Sequence, residues 1–224
     1  MYNTAVLVMT CDSYEDAWKP FFALKEKYWA DCPFPVYVGT EKKDCPYADY
    51  TIKHTGSWTK RVRESLQEMD CEYVVFMLED FFIRKQVKQD MFEYVVNCFD
   101  KETAVFSFEE EFDPTYPSDV FGFRLKPNKS RYLHSCMPSI WRKSVLIDEL
   151  NCDADAWKWE KMTVDSPLKF YILEYDNEVI DIGYKKFSNF GIKQGKWVKS
   201  DVVPLFEKEN IEIDLLARGF YEKD

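Results

Sequence analysis

The stretch from Glu72 to Phe82 constrains the fold more than any other part of this 224-residue chain. Five apolar residues, 74–78, run without alternation into two adjacent carboxylates, Glu79 and Asp80. A short continuous apolar run bounded by polar residues is typical of a strand buried on both faces, as in a parallel sheet. Ligands of open parallel sheets bind just beyond the carboxyl ends of the strands. Glu79 and Asp80 are therefore either ligands for a divalent metal or a ribose hydroxyl, or acids of a strand end that face water.

Predicted strands and helices alternate along the first eighty residues. Residues 5–9 form another uninterrupted apolar run, and Ser13 and Asp16 after it have the spacing of a capping box that starts a helix. Ser57 is placed to cap a second helix. Further short strands are predicted at 36–38, 50–52 and 73–78. The alternation predicts an α/β fold with a mostly parallel central sheet flanked by helices.

The second half of the chain is more mixed. A helix at 89–98 is followed by a strand at 103–108. Two short strands at 120–125 and 131–134 are candidates for a hairpin joined through Pro127 and Asn128. The remaining predicted elements are helices at 142–150, 154–162 and 167–175 and a last strand at 179–182. With no linker or repeat to divide the chain, we expect one domain over residues 1–224.

Charge and cysteine content limit the partners and the compartment. A net charge of −10 argues against sequence-independent binding to nucleic acid, which depends on Lys and Arg contacts to phosphates. The seven cysteines are scattered and form no Cys-x-x-Cys pair, which indicates a reducing compartment. The chain opens with too few apolar residues for a signal peptide and has no apolar run near the ~20 residues that span a bilayer. We expect a cytoplasmic protein with at most peripheral contact with a membrane.

The turn after the first strand, Thr10-Cys11-Asp12-Ser13, is one candidate binding site. Free backbone N–H groups at a helix start, beside a carboxylate, can hold the edge of a base or ribose. The alternative is an ordinary helix cap. No Gly-x-Gly-x-x-Gly or phosphate-binding loop motif follows the strand, which argues against a dehydrogenase or ATPase type of nucleotide site.

Tryptophans mark a second candidate site. Trp157 and Trp159 cannot both face the core from one helix, so one of them is available as a wall of a sugar site, and Trp141 belongs to the same group. Glu160 beside such a wall can act as a general base if partial burial raises its pKa. The alternative is an ion pair of Glu160 with Arg142 or Lys161.

The tail is locally basic in an acidic chain. Its lysines are Lys185, Lys186, Lys193, Lys196 and Lys199. A local excess of Lys can hold a diphosphate, and a solvated charged loop is the alternative.

Set together, these stretches resemble nucleotide-sugar glycosyltransferases with the GT-A fold, of the bacterial capsule and surface-polysaccharide type. The matching sequences are Thr10-Cys-Asp-Ser-Tyr-Glu-Asp-Ala-Trp18, Trp58-x-x-Arg61, the stretch from Glu72 to Phe82, Ser139-Ile-Trp-Arg-Lys143, Trp157-x-x-Glu160 and Gly195-Lys-Trp197. They span most of the chain in the expected order. The resemblance implies a GT-A-like, Rossmann-like sheet, with residues 1–82 binding the nucleotide and 83–224 the acceptor.

The resemblance also implies roles at matching positions. The nucleoside would lie along Thr10, Cys11, Asp12 and Ser13, with Trp58, Arg61 and Glu79 also binding the nucleotide. Asp80 would bind Mn²⁺ or Mg²⁺ in place of the family's Asp-x-Asp motif, and Glu160 would be the catalytic base. Trp141, Trp157 and Trp159 would contact the acceptor or sugar, and Lys196 the leaving diphosphate.

One departure from the family pattern concerns the metal. Phe82 stands two positions after Asp80, so the Asp-x-Asp motif is incomplete and Lys or Arg is an alternative partner for the leaving group. The resemblance implies an inverting glycosyltransferase that moves a sugar from a nucleoside-diphosphate sugar to a hydroxyl of a glycan or lipid-linked glycan, as in capsule or lipopolysaccharide synthesis. The alternatives are an inert nucleotide- or glycan-binding module and a nucleotidyltransferase.

Overall fold

The structure, a computed structural model, describes residues 3–110, 114–174, 179–183 and 191–222. The strands are β1 (Thr4–Met9), β2 (Val36–Thr40), β3 (Tyr50–Lys53), β4 (Tyr73–Leu78), β5 (Thr103–Glu110), β6 (Tyr116–Pro117), β7 (Phe123–Leu125), β8 (Lys129–Arg131), β9 (Ser139–Arg142), β10 (Thr163–Asp165), β11 (Lys169–Leu173), β12 (Ile192–Lys193) and β13 (Lys196–Trp197). The helices are α1 (Glu15–Tyr28), α2 (Trp58–Glu68), α3 (Gln89–Asn97), α4 (Lys143–Glu149), α5 (Ala156–Glu160), α6 (Lys199–Glu209) and α7 (Leu215–Arg218).

Nine strands form one central sheet in the order β3-β2-β1-β4-β9-β5-β11-β7-β6. The pairs among β3, β2, β1 and β4 are all parallel, and β5 pairs parallel with β11. Only β9 and β7 run against the common direction in this sheet. The predicted α/β fold with a mostly parallel sheet and a mixed second half is confirmed.

Helices cover both faces of the sheet, which is why the adjacent strands β1 and β4 are almost entirely apolar. Apolar residues of α1, α3 and α6 pack on one face, where Val75 and Met77 of β4 point. Residues of α2, α4 and α5 pack on the other face, against Val74 and Phe76. Burial of β4 on both faces confirms the interpretation of its continuous apolar run, and its bounds match the predicted 73–78.

Three predictions about the second half are wrong. The predicted helix at 167–175 is strand β11, which pairs with β5 on one side and β7 on the other. Residues 120–125 and 131–134 do not form a hairpin, because β7 joins β11 and β6 whereas β8 pairs with β10. Residues 179–182 form no strand, although Val179, Ile180 and Ile182 are buried.

The predicted capping box is also wrong. A 3₁₀ turn covers Asp12–Tyr14, and α1 starts at Glu15 without a side-chain cap. The Ser13 hydroxyl instead lies 3.0 Å from the Cys11 thiol, and the Asp16 carboxylate binds the Arg218 guanidinium. A local contact therefore takes the hydroxyl and a long-range contact takes the carboxylate that a capping box would use.

The sheet register brings the two candidate turns together. Met9 at the end of β1 pairs with Leu78 at the end of β4, so Thr10 and Glu79 leave adjacent parallel strands at the same edge. None of the helices in the described residues is long and apolar enough to cross a membrane.

Candidate active site

A cavity of about 470 Å³ opens at the carboxyl edge of β1 and β4. Its wall includes eight of the predicted site residues: Thr10, Cys11, Trp58, Arg61, Glu79, Asp80, Trp157 and Glu160. Five others lie outside it: Asp12, Ser13, Trp141, Trp159 and Lys196. Residues from both halves of the sequence thus face one space, as expected for a site at the end of parallel strands.

The turn after β1 is held in place from several directions. The Thr10 hydroxyl accepts a hydrogen bond from the Trp18 indole N–H (3.0 Å), and the Thr10 carbonyl accepts one from the Arg61 guanidinium (2.7 Å). Asp12 accepts bonds from three consecutive backbone N–H groups, those of residues 41–43. Asp12 therefore joins the turn to the loop after β2, and it is Cys11 that reaches the cavity.

Glu79 and Asp80 stand side by side at the end of β4, and both line the cavity. Burial, together with the charge of Asp80, raises the pKa of Glu79 well above its ordinary value. Burial also raises the pKa of Asp80, to about 6, although the backbone N–H of Ile192 donates to its Oδ2 (3.3 Å) and opposes the rise. The side chains of Arg218 and Arg61 offset only part of this cost for Glu79. Burial is therefore the main reason that these two carboxyls resist ionisation.

The carboxylate pair suits a hard divalent cation. Mg²⁺ and Mn²⁺ are bound through one or two carboxylates plus substrate phosphates rather than by a closed protein cage. The described residues contain no cluster of three or more His, Cys, Asp or Glu that would form such a cage. Glu79 and Asp80 are the adjacent carboxylates at the cavity wall that would hold such a cation.

Helix α2 contributes Trp58 and Arg61. The Arg61 side chain is almost fully buried, with its residue 6% exposed, and one of its terminal nitrogens is taken by the Thr10 carbonyl. Its Nε is buried and has no hydrogen-bond partner among the described residues. A buried guanidinium N–H that the protein leaves unsatisfied at a cavity wall is a candidate donor to an anionic ligand.

Helix α5 separates its two tryptophans as predicted. Trp157 is 69% exposed and lines the cavity, whereas Trp159 is 0% exposed and packs beside Trp58 and Trp141 in the core. The structure therefore brings Trp157 to the cavity and leaves Trp141 and Trp159 out of reach of a ligand. The predicted sugar-contacting role of those two residues is wrong, because their rings are enclosed by core side chains.

Glu160, at the end of α5, faces the cavity with its carboxylate fixed. The backbone N–H of Cys136 donates to Glu160 Oε1 (2.8 Å). Burial raises the pKa of Glu160 despite this bond. The alternative pairing with Arg142 does not hold, since that guanidinium donates to backbone carbonyls of Asp100 and Thr103. Lys161 lies over the Trp157 ring, with its Nζ 5.2 Å from the ring centroid.

The basic tail contributes a different lysine from the one predicted. Lys196 is exposed, and its ammonium donates to the Arg218 carbonyl (2.7 Å). Lys193 and Gln194 reach the cavity instead, from the hairpin of β12 and β13. Gln194 and Gly195 form the tight turn with φ of 49° and 74°. Lys193 and Lys196 are directly paired across it, and the bond to the Arg218 carbonyl holds the Lys196 ammonium outside the cavity wall. Lys185 and Lys186 lie outside the described residues.

Arg218 is not among the residues predicted from the sequence, yet it joins the turn before α1 to the β12–β13 hairpin beside the site. Its guanidinium donates to Asp16, to the Ser13 carbonyl (2.7 Å) and to the Gly195 carbonyl (3.1 Å). It also stacks over the Tyr14 ring, 4.4 Å from the centroid. A lone Arg near the end of the sequence carries no local signal, because all of these partners come from distant segments.

Comparisons with known proteins reveal only structural likeness. No family model matches the chain, and no curated protein matches its sequence. Similar solved structures include TarS 1–349 of S. aureus in complex with UDP-GlcNAc (TM-score 0.45, 15% identity, covering 83% of this chain and 62% of that one). A cytidylyltransferase from Leptospira borgpetersenii gives a TM-score of 0.43 at 9% identity, covering 83% of this chain and 80% of that one.

The bifunctional IspDF of Campylobacter jejuni gives the same TM-score of 0.43 at 13% identity, covering 70% of this chain. This chain spans only 46% of IspDF and 62% of the TarS fragment. TM-scores below 0.5 at such identities do not identify a function, which depends on the site rather than on the fold.

Proposed function

We propose that this protein is an inverting glycosyltransferase that moves a sugar from a nucleoside-diphosphate sugar to a hydroxyl group of a glycan or lipid-linked glycan. One observation carries the proposal: a single cavity joins a pair of cation-seeking carboxylates to a separate carboxyl with a raised pKa. A donor with a diphosphate needs the first feature, and an acceptor hydroxyl needs the second.

Glu160 is the proposed general base. Its raised pKa brings it closer to neutral pH, where a base accepts a proton most effectively. The Cys136 N–H orients the carboxylate by holding Oε1. The acceptor hydroxyl gives its proton to Glu160 as its oxygen attacks the anomeric carbon. The bond from that carbon to the diphosphate breaks, and the leaving nucleoside diphosphate keeps the electron pair.

The donor site is proposed to lie between the turn after β1 and the start of α2. Cys11 and Trp58 offer a wall for the nucleoside, while Arg61 Nε and Lys193 lie where they can offset phosphate charge. Glu79 and Asp80 would hold Mn²⁺ or Mg²⁺, which supplies positive charge to the leaving diphosphate when bound. Asp12 and Ser13 support this turn without touching the ligand.

The acceptor site is proposed to lie against Trp157. An indole that is 69% exposed at the cavity wall is a platform on which a sugar ring can stack. The position of Trp157 three residues before Glu160 on one helix keeps a stacked acceptor close to the base. Residues 1–82 would thus bind the donor and 83–224 the acceptor in one domain, in surface-polysaccharide synthesis at the cytoplasmic side of a membrane.

A nucleotidyltransferase is the second candidate. Such an enzyme needs a glycine-rich, basic loop after the first strand to hold a triphosphate, and Thr10-Cys11-Asp12-Ser13 has neither glycine nor a basic residue. An inert binding module is the third, and it would bind a nucleotide without turnover.

Thermal unfolding with UDP, GDP, CDP and dTDP and with the four corresponding triphosphates, each with Mn²⁺ or EDTA, tests the donor site. A ligand at ~100 times its Kd stabilises the folded state by about 2.7 kcal/mol. We expect one diphosphate to raise the Tm with Mn²⁺, and its sugar conjugate to release that diphosphate on incubation. Stabilisation by a triphosphate alone would favour the nucleotidyltransferase, and no response to any nucleotide would contradict the proposal.

A further inference from the structure

A buried ion pair lies behind Glu160, outside the cavity wall. The Lys126 ammonium is 2.7 Å from Oε1 of Glu109, and both side chains are largely buried, with 12% and 9% of their surface exposed. Neither residue lines the cavity. Buried ion pairs contribute little net stability on average, so the retention of one beside a candidate base calls for another reason.

The pair binds the segment that holds Glu160. Residues 132–137, called here the 132–137 segment, run from the end of β8 toward β9. Lys126 Nζ donates to the Tyr132 carbonyl (2.9 Å), and the Ser135 hydroxyl donates to Glu109 Oε2 (3.2 Å). The next residue, Cys136, donates its backbone N–H to Glu160 (2.8 Å). The ion pair and the carboxyl in the cavity are therefore connected through two hydrogen bonds, from Ser135 to Glu109 and from Cys136 to Glu160, and the peptide bond between Ser135 and Cys136.

The backbone of this segment is held in a disfavoured conformation. Tyr132 has φ of 58°, in the left-handed region that residues with a Cβ seldom adopt. Such a conformation persists where the surrounding contacts hold it, and the Tyr132 carbonyl is the one that Lys126 binds. Stacking of His134 on Trp159 (4.5 Å between ring centroids) fixes the middle of the segment. A strained backbone at Tyr132 and a fixed ring at His134 indicate that the position of this segment matters.

We propose that Lys126 and Glu109 are positioning residues that hold the 132–137 segment, and through its Cys136 amide the Glu160 carboxylate, in place for proton transfer. The inference rests on the proposed role of Glu160 as base. It assigns a purpose to a buried pair that touches neither donor nor acceptor.

The two members of the pair act on Glu160 with opposite sign. The negative charge of Glu109 raises the pKa of Glu160, and the positive charge of Lys126 lowers it, in addition to the larger effect of burial. Among the described residues, the Cys136 thiol lies against the Glu160 carboxylate. The other titratable side chains that line the same cavity are those of Cys11, Tyr14, Arg61, Glu79, Asp80 and Lys193. Loss of one charge of the pair therefore shifts the titration of Glu160 in a direction that depends on which charge is lost.

The test is a titration of Glu160 by ¹³C NMR on protein labelled at the glutamate δ carbon, with the Glu160→Gln spectrum giving the assignment. Lys126→Met is expected to raise the pKa of Glu160 and Glu109→Gln to lower it. Lys129→Met, which removes a positive charge from an exposed side chain nearby, is the matched control and is expected to leave the titration unchanged. Shifts of the same sign in both pair variants, or none, would overturn the proposal.

A third variant covers the case in which a single substitution prevents folding. Lys126→Met/Glu109→Gln removes both charges, so the opposing electrostatic effects cancel while the hydrogen bonds to the segment weaken. We expect its kcat to fall at least about tenfold with the KM for the donor unchanged, as for lost orientation of a catalytic group. A double variant with the kcat of the unmodified protein would overturn the proposal.

The titration uses no substrate, so its result separates this inference from the proposed function. If the pKa of Glu160 shifts in opposite directions but the protein never transfers a sugar, the pair sets the pKa of Glu160 without a role in catalysis, and the proposed function is wrong. If the protein transfers a sugar but the two variants do not shift the pKa of Glu160 in opposite directions, the role proposed for the pair is wrong and the proposed function stands.

Discussion

The two acidic ends of the cavity differ in how the protein compensates their charge. At the end of β4, Glu79 and Asp80 are adjacent, and burial raises the pKa of both carboxyls, with the charge of Asp80 adding to the rise at Glu79 and that of Asp201 to the rise at Asp80. At the end of α5, Glu160 stands alone, bonded to a backbone amide and backed by the Lys126–Glu109 pair. At the first end, Arg61 and Arg218 offset only part of the cost of charging Glu79, whereas at the second a backbone amide holds a single carboxylate. On the proposed function, the first would be the cation-dependent donor end and the second the proton-accepting acceptor end.

The largest expected effect is the loss of stability when the packing behind Glu160 is removed. Trp159→Ala removes a fully buried indole that stacks on His134 and contacts Trp141, and should destabilise the fold by about 3–5 kcal/mol. Trp157→Ala, two residues away on the exposed face, should change the free energy of unfolding by no more than about 0.5 kcal/mol. Urea unfolding of both variants measures the difference. Equal losses would mean that α5 does not separate a core ring from a ligand-facing ring.

Asp80→Asn should stabilise the protein at neutral pH. Because the folded-state pKa of Asp80 is raised from 3.8 to about 6, its ionisation costs stability as pH rises from about 4 through 6. The amide removes that cost and retains an oxygen for the Ile192 N–H, so the gain at pH 7 is up to about 3 kcal/mol and shrinks toward pH 4. Urea unfolding at both pH values is the measurement. Glu72→Gln, exposed just before β4, is the control and should show no such gain.

Added Mn²⁺ or Mg²⁺ together with the donor diphosphate should favour the ionised carboxylates of Glu79 and Asp80 at the end of β4. At ~100 times its Kd a ligand adds about 2.7 kcal/mol at pH 7.5, and the gain should be smaller at pH 5, where Asp80 is largely protonated. Asp80→Asn should lose most of the metal-dependent part. A Tm response that is the same in EDTA would assign charge compensation to Arg61 and Lys193 alone.

The parts of the fold that could be predicted are those with local signals. The continuous apolar run of β4 fixed both its bounds and its burial on two faces, and with β1 it located the site at one sheet edge. The run at 169–173 does not distinguish a strand from a helix, because a short apolar stretch fits either one and the choice depends on which elements pack beside it. Its partners, β5 and β7, lie 44 or more residues earlier in the chain.

The site could be predicted only in part for the same reason. Glu79, Asp80 and Glu160 were found from the sequence patterns and the family resemblance, and all three line the cavity. The tryptophan pair indicated that one ring would be free without saying which. Lys193 lines the cavity and Lys196 does not, because the Lys196 ammonium is bound to the Arg218 carbonyl, a contact between two segments that no local pattern announces. Arg218 and the Lys126–Glu109 pair depend on tertiary contacts with no local pattern.

The measurement that tests the central claim most directly is the rate of sugar transfer by Glu160→Gln. With the donor found by thermal unfolding, release of nucleoside diphosphate is followed for the unmodified protein, for Glu160→Gln and for the control Glu72→Gln. Loss of a general base lowers kcat by roughly 10²–10⁴-fold, and we expect that loss in Glu160→Gln alone, with diphosphate binding unchanged. Full activity in Glu160→Gln would contradict the assignment of the base, and with it the division of the cavity into a donor end and an acceptor end.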